Sequence, residues 1–194
     1  ISPALPVAAL ADDVEGALWN MSLFQHEKPT DDMARIVVAI DPAVTATEQS
    51  DETGIIVAAR SSDNIFHILE DLSGRYSPDQ WARVAINAYH DFNADKIIAE
   101  TNNGGEMVQL TLRTVDRHVP YKSVHASRGK RIRAEPIAAL YEQGKVFHAK
   151  PFELLEEQLC TWTPESKESP DRMDALVWGL SELSSAGSAN IRFL

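Results

Sequence analysis

Three segments of this 194-residue chain place carboxylates where a sheet could gather them. Asp41 closes the apolar run Arg35–Ile40, and Glu100 closes the run KIIAE. Asp171 and Asp174 open a helical pattern three residues apart, so they share one face, with Asp171 at the end where the helix dipole favours negative charge. Taken singly, Asp41 before Pro42 reads as a turn residue, and Asp171 after Ser169-Pro170 reads as a helix cap. Glu100 resists such a reading, because a carboxylate beside a core strand must be paired, solvated or metal-bound. Together, without a matching set of His or Cys, the four form a hard-oxygen cluster of the kind that suits Mg²⁺ or Mn²⁺ rather than zinc. Two such ions can align an attacking water and a leaving oxygen for in-line phosphodiester cleavage.

A second group carries the opposite charge. Lys122, Arg128, Lys130, Arg131 and Arg133 fall within twelve residues that contain no acid, leaving 13 basic against 29 acidic residues elsewhere, a net −16. The whole chain carries −11, which argues against a polyanionic partner. A concentrated patch can still hold phosphate locally, because exposed charges are screened beyond about 8–10 Å. The bland alternative is a solvated loop.

The elements that must position these groups follow from periodicity and turn chemistry. Arg35–Ile40 is a β-branched strand stopped by a proline. Thr53–Arg60 and Ile65–Asp71 flank Ser-Ser-Asp-Asn and read as an antiparallel hairpin. Ser77-Pro78 starts a helix reaching about Phe92, followed by the strand Lys96–Glu100. Asn102-Asn103-Gly104-Gly105 leads into a helix over Met107–Val115 and serves equally well as a phosphate cradle or a tight turn. Tyr121–His125 is a strand, the basic residues form a loop, and a helix runs from about Ala134 to Gln143, ended by Gly144. Val146–His148 can add a strand, Pro151–Cys160 and Arg172–Leu183 read as helices, and Ser184–Leu194 is polar. An antiparallel start followed by alternating units implies an α/β fold with a mixed sheet and helices on both faces. Sites in such sheets lie outside strand C-terminal ends, where Asp41 and Glu100 stand.

Composition narrows the class further. With 44% hydrophobic and 24% charged residues the chain is globular, and collagen-like or wholly disordered readings fail. One cysteine, Cys160, excludes a disulfide scaffold and reads as a buried apolar residue. No apolar run approaches the roughly 18 residues of a membrane helix, and no basic segment precedes Ile1–Leu10 as in a signal peptide. The expected compartment is therefore the cytosol. Residues 1–32, interrupted by Pro3, Pro6 and Pro29, read as an arm or linker in which only Val14–Phe24 could be a short helix. The first residue, Ile, suggests a fragment. Trp81, Trp162 and Trp178 fall on helical patterns and read as core or partial core, and His125 reads as a surface histidine.

The segments VVAIDPA, IIAETNNGG and SPDRMDALVWGLSEL, with RIRAEPIAALYEQGKVFH between the last two, resemble the C-terminal nuclease domain of the large terminase subunit of tailed bacteriophages. The likeness covers about residues 33–185, with 1–32 as interdomain linker and 186–194 as a tail. It implies an RNase H-like (retroviral-integrase-like) fold and a metal-dependent endonuclease that cuts concatemeric double-stranded DNA, using Mg²⁺ or Mn²⁺, two ions being expected. By this analogy Asp41, Glu100, Asp171 and Asp174 are catalytic metal ligands, and Lys122, Arg128, Lys130, Arg131 and Arg133 contact DNA. The i, i+3 spacing of the aspartates is that of related Holliday-junction resolvases, and it leaves open which is the principal ligand; Asp174 is favoured because Asp171 doubles as a cap. The analogy also implies an upstream ATPase domain, portal and small terminase subunit as partners, and the host cytoplasm as location. No G-x-x-x-x-G-K-[ST] occurs, so this chain is not expected to hydrolyse ATP. Two other readings use the same residues: a resolvase-like nuclease on branched DNA, and a non-catalytic DNA-binding or docking module whose carboxylates only cap elements.

Overall fold

A computed structural model describes residues 14–30, 32–43, 52–101 and 105–188. Its centre is a mixed sheet of seven strands in the order β1-β7-β4-β3-β2-β5-β6. The strands are β1 (Gln25–His26), β2 (Met33–Asp41), β3 (Gly54–Ser61), β4 (Phe66–Asp71), β5 (Lys96–Glu100), β6 (Tyr121–Val124) and β7 (Val146–His148). The β2–β3 and β3–β4 pairs are antiparallel, whereas β2–β5, β5–β6, β4–β7 and β1–β7 are parallel. Central β3 is buried on both faces, as its run of Ile, Val and Ala requires.

Helices cover both faces. The helices α1 (Pro78–Asp91) and α2 (Gly105–Val115) lie on the side where Val38, Ile40, Ile55, Val57, Trp81 and Leu112 form one core. On the other side α3 (Lys130–Glu142), α4 (Glu153–Thr161) and α5 (Asp171–Ser188) join Val37, Ile56, Ile68, Leu159 and Leu176 in a second core. The α1 start is held by a capping box, in which the Gln80 backbone donates to Ser77 Oγ at 3.3 Å and the Ser77 backbone donates to Gln80 Oε1 at 2.9 Å. Gly179 of α5 faces Ala39 and Ala58, where an added Cβ would lie 3.3 and 3.5 Å from their methyls. These small residues let the helix lie close on β2 and β3.

Three elements differ from the sequence expectation. The helix α3 begins at Lys130, not near Ala134, which puts Lys130, Arg131 and Arg133 on helical turns instead of a loop. Pro136 consequently sits inside the helix, where its missing N–H removes one backbone bond. The first turn has no side-chain cap at Gly129, but it is tied by Lys130 to Asp174 and by Arg131 Nη1 to the Gly16 carbonyl at 3.0 Å. Second, Val14–Phe24 forms only one 3-10 turn, Met21–Leu23, with Trp19 and Phe24 buried in the second core and β1 added to the sheet edge. Packing against the domain, not helical propensity, fixes this arm. Third, α5 continues to Ser188, through part of the segment expected as a tail. Asn102, Asn103 and Gly104, expected as a phosphate cradle or a tight turn, lie outside the described residues. No helix among the described residues is long and apolar enough to cross a membrane.

Candidate functional site

Parallel pairing sets the first two carboxylates. Ile40 is in register with Ala99, so Asp41 and Glu100, each one residue further on, leave neighbouring strands at the same edge. Because side chains alternate along a strand, Asp41 points to the face of Val37 and Ala39, toward α5. The start of α5 supplies the third segment. Its first bond runs from the Asp174 N–H to the Pro170 carbonyl at 2.8 Å, so Asp171 is the first helical residue and not the cap expected from sequence.

Two devices bring that helix start to the sheet. Gly54, in register with Asp41, leaves room for the α5 backbone: a Cβ there would meet the Asp171 carbonyl oxygen at 2.0 Å. Arg172 anchors the same turn sideways, with Nη1 2.7 Å from Asp71 Oδ2 and Nη2 3.0 Å from Glu52 Oε2. Its buried guanidinium thus ties the helix to the end of β4.

The four carboxylates interact. Burial, followed by the charges of Asp174, Glu100 and Asp171, pushes the Asp41 carboxyl well above the ordinary range, against the opposing effect of Lys130. Burial also raises Asp174, although Lys130 and Arg133 pull it back. Cations from α3 offset the cluster. The Lys130 ammonium donates to Asp174 Oδ2, and Arg133 lies 3.9 Å from both Glu100 Oε2 and Asp174 Oδ1. Four carboxylates face two cationic side chains, so the cluster stays acidic.

Sequence reasoning missed Trp178. Its indole Nε1 donates to Glu100 Oε2 at 2.7 Å, and its ring lies 4.6 Å beneath the Arg133 guanidinium. The signal was present in the spacing, since Asp171, Asp174 and Trp178 recur at helical intervals on one stripe of α5. Glu182 extends the stripe and accepts from Lys96 at 2.9 Å and Lys122 at 2.7 Å. Trp81 and Trp162 are buried.

The five basic residues therefore divide. Lys130 and Arg133 turn into the carboxylate cluster, while Lys122 pairs with Glu182. Arg131 pairs with Glu135 at 3.2 Å, and Arg128 is exposed, its carbonyl accepting from Arg133 Nε at 3.2 Å. The exposed His125 lies 3.4 Å through Nδ1 from Thr101 Oγ1, just past Glu100.

A separate polar cluster lies at the other sheet edge. His26 Nε2 and His148 Nδ1 both lie 2.7 Å from Glu156 Oε1, and Tyr141 Oη is 2.9 Å from His148 Nε2. Burial would raise the Glu156 carboxyl, but hydrogen bonds from His148, His26 and the Phe152 N–H hold it down at about 2.

The family model described as the terminase RNaseH-like domain matches residues 38–183 of this chain. No curated protein sequence matches it. Among solved structures, the large terminase nuclease from thermophilic phage G20c with bound magnesium is 15% identical, with a TM-score of 0.60, covering 87% of this chain and 98% of that one. The HK97 bacteriophage large terminase is 10% identical with a TM-score of 0.65, covering 86% of this chain and 43% of that one. Thermus thermophilus RuvC is 14% identical with a TM-score of 0.50, covering 79% of this chain and 96% of that one. This chain thus spans less than half of the HK97 protein, and at these identities the likeness establishes the RNase H-like fold.

Proposed function

Because the chain belongs to the terminase RNaseH-like domain family, we propose that it is a metal-dependent endonuclease domain that cuts concatemeric double-stranded DNA during viral packaging. The observation that carries this reading is the meeting of Asp41, Glu100, Asp171 and Asp174 at the C-terminal edge of β2 and β5. An oxygen-only, acidic donor set fits Mg²⁺ or Mn²⁺. Asp41, Glu100 and Asp174, with Asp171 beside them, would hold the metal, and we assign two ions. When bound, such ions acidify a coordinated water and neutralise charge developing on the cleaved phosphate.

The chain's own residues prepare the site. Trp178 fixes one oxygen of Glu100 by its hydrogen bond, leaving the carboxylate a restricted orientation. Arg133, set over the indole at 4.6 Å, spreads positive charge between Glu100 and Asp174. Lys130, half-exposed at the head of α3, can exchange Asp174 for a phosphate oxygen as DNA enters. Arg128 is free to follow the DNA backbone, with Lys122 and Arg131 as further contacts once drawn from their acidic partners. An ATPase domain, the portal and the small terminase subunit are the partners we assign, and the host cytoplasm the location.

The test uses purified chain and supercoiled plasmid with Mg²⁺ or Mn²⁺. Nicking and linearisation are expected, and excess EDTA or Asp174→Ala should abolish both. Undiminished cutting in EDTA would overturn the metal reading. A preference for four-way junctions over linear duplex, together with a dimer in solution, would instead favour the resolvase-like reading that the RuvC likeness suggests. DNA binding without any cutting under all metal conditions would favour a docking module.

A further inference from the structure

We infer that His26, His148 and Glu156 form a second metal site, selective for a zinc-type ion, that clips the N-terminal arm to the sheet edge. This inference does not depend on the nuclease reading. The three ligand atoms, two imidazole nitrogens and one carboxylate oxygen, all lie within 4.8 Å of one another. They come from β1, β7 and α4, and 130 residues separate His26 from Glu156. An ion at their meeting point would cross-link the arm to the domain. His148 and Glu156 are buried, whereas the His26 side chain is 36% exposed, so an ion can enter from solvent and water can fill a fourth position.

The surroundings are those of a ligating histidine. Its Nε2 is held by the Tyr141 hydroxyl, which leaves Nδ1 directed at Glu156. Phe24 stacks on the same ring at 5.2 Å, fixing its plane. Without an ion, both histidines share Glu156 Oε1 at 2.7 Å. Tetrahedral ligands about 2.05 Å from zinc stand about 3.3 Å apart, so the triad must open by roughly 0.6 Å. His26, on the edge strand, is the member able to move. Proton accounting closes: the Nδ1 proton of neutral His148 transfers to Nε2, Tyr141 turns from donor to acceptor there, and neutral His26 gives its Nε2 proton to solvent while taking one from solvent at Nδ1.

Ligand chemistry separates this site from the carboxylate cluster. Imidazole nitrogens favour Zn²⁺, Co²⁺, Ni²⁺ and Cu²⁺, whereas Mg²⁺ prefers oxygen donors. The arm itself has reason to need a clip. It buries Trp19 and Phe24, yet β1 contributes only two residues of strand pairing.

The experiment titrates the full chain carrying Asp174→Asn, which weakens the oxygen cluster, with Co²⁺ as a spectroscopic probe and Zn²⁺ by calorimetry. One equivalent with visible bands of four-coordinate Co²⁺ is expected, displaced by Zn²⁺ and not by millimolar Mg²⁺. Adding His26→Ala, which alters an exposed side chain and should fold, is expected to weaken binding at least tenfold, as should Glu156→Gln. Zn²⁺ should also slow proteolysis of the arm, but not in the His26→Ala chain. Absence of binding in the Asp174→Asn chain, or equal affinity with and without His26, would overturn the inference and leave the triad a hydrogen-bond network alone.

Discussion

Asp41→Asn removes one of four mutually interacting carboxylates while keeping the side chain's shape. In the folded chain this carboxyl sits well above its ordinary value of 3.8, through burial and then the charges of Asp174, Glu100 and Asp171. A group with a raised folded pKa binds its proton more tightly in the native state, so stability falls as pH rises from that ordinary value through the folded one. In EDTA at pH 7.5 the substitution should therefore stabilise. Relief of a strained functional group is worth about 0.5–2 kcal/mol, or about 1–8 °C in Tm for a chain of this size. Near pH 4 most of the gain should vanish, because the folded Asp41 carboxyl is then neutral. Divalent metal should reverse the order. At ten times Kd a ligand stabilises by about 1.4 kcal/mol, or about 3–6 °C, and the variant, lacking a ligand, should gain less. Differential scanning fluorimetry of both chains at pH 4, 5.5 and 7.5, with EDTA and across a Mn²⁺ titration, measures each arm. A lower Tm for Asp41→Asn in EDTA at pH 7.5, or an undiminished Mn²⁺ increment, would refute the reasoning.

Trp178→Phe keeps the ring but deletes a hydrogen bond to a charged acceptor, worth about 1.5–3 kcal/mol; plasmid cleavage should slow roughly tenfold to a hundredfold, and an unchanged rate would remove Trp178 from the site. Gly54→Ala forces a methyl into the Asp171 carbonyl and should destabilise by more than about 2 kcal/mol in chemical denaturation. Arg128→Ala should make the slope of log K against log salt shallower by about 0.9 for one lost phosphate contact. If Lys130 and Arg131 leave Asp174 and Glu135 for phosphate as DNA enters, the triple replacement of Arg128, Lys130 and Arg131 by Ala should approach about 2.7; a value near 0.9 would mean that both stay with their acidic partners. Anisotropy measurements on two unrelated duplexes at several salt concentrations distinguish the two.

Much of the fold was legible because its signals are local. Ser77-Pro78 with Gln80 sets the α1 start, and the β-branched runs ending at Asp41 and Glu100 set β2 and β5. Those strand ends also made Asp41 and Glu100 candidates before any geometry was known. What failed depends on distant partners. No local feature of Lys130 says that Asp174, 44 residues on, will draw it into a helix and away from a loop. Trp178 looked like core because its apolar ring suits a buried helix face, and only the position of Glu100 gives its Nε1 an acceptor. The arm shows no period because Trp19 and Phe24 are fixed by a surface built from distant residues, Tyr141 among them.

The contact at Gly54 bears on how sequences of this family can diverge. At the point where the acidic pair meets the sheet, the α5 backbone is seated on a glycine, with no side chain of its own at position 54 to repack. Elsewhere the cores can exchange Ile for Val or Leu and shift by tenths of an ångström without moving this junction. Position 54 of this chain thus has no room for a side chain. A register set by main chain against main chain can outlast replacement of most neighbouring residues, and it gives one physical route by which chains only 10 or 15% identical retain a common fold.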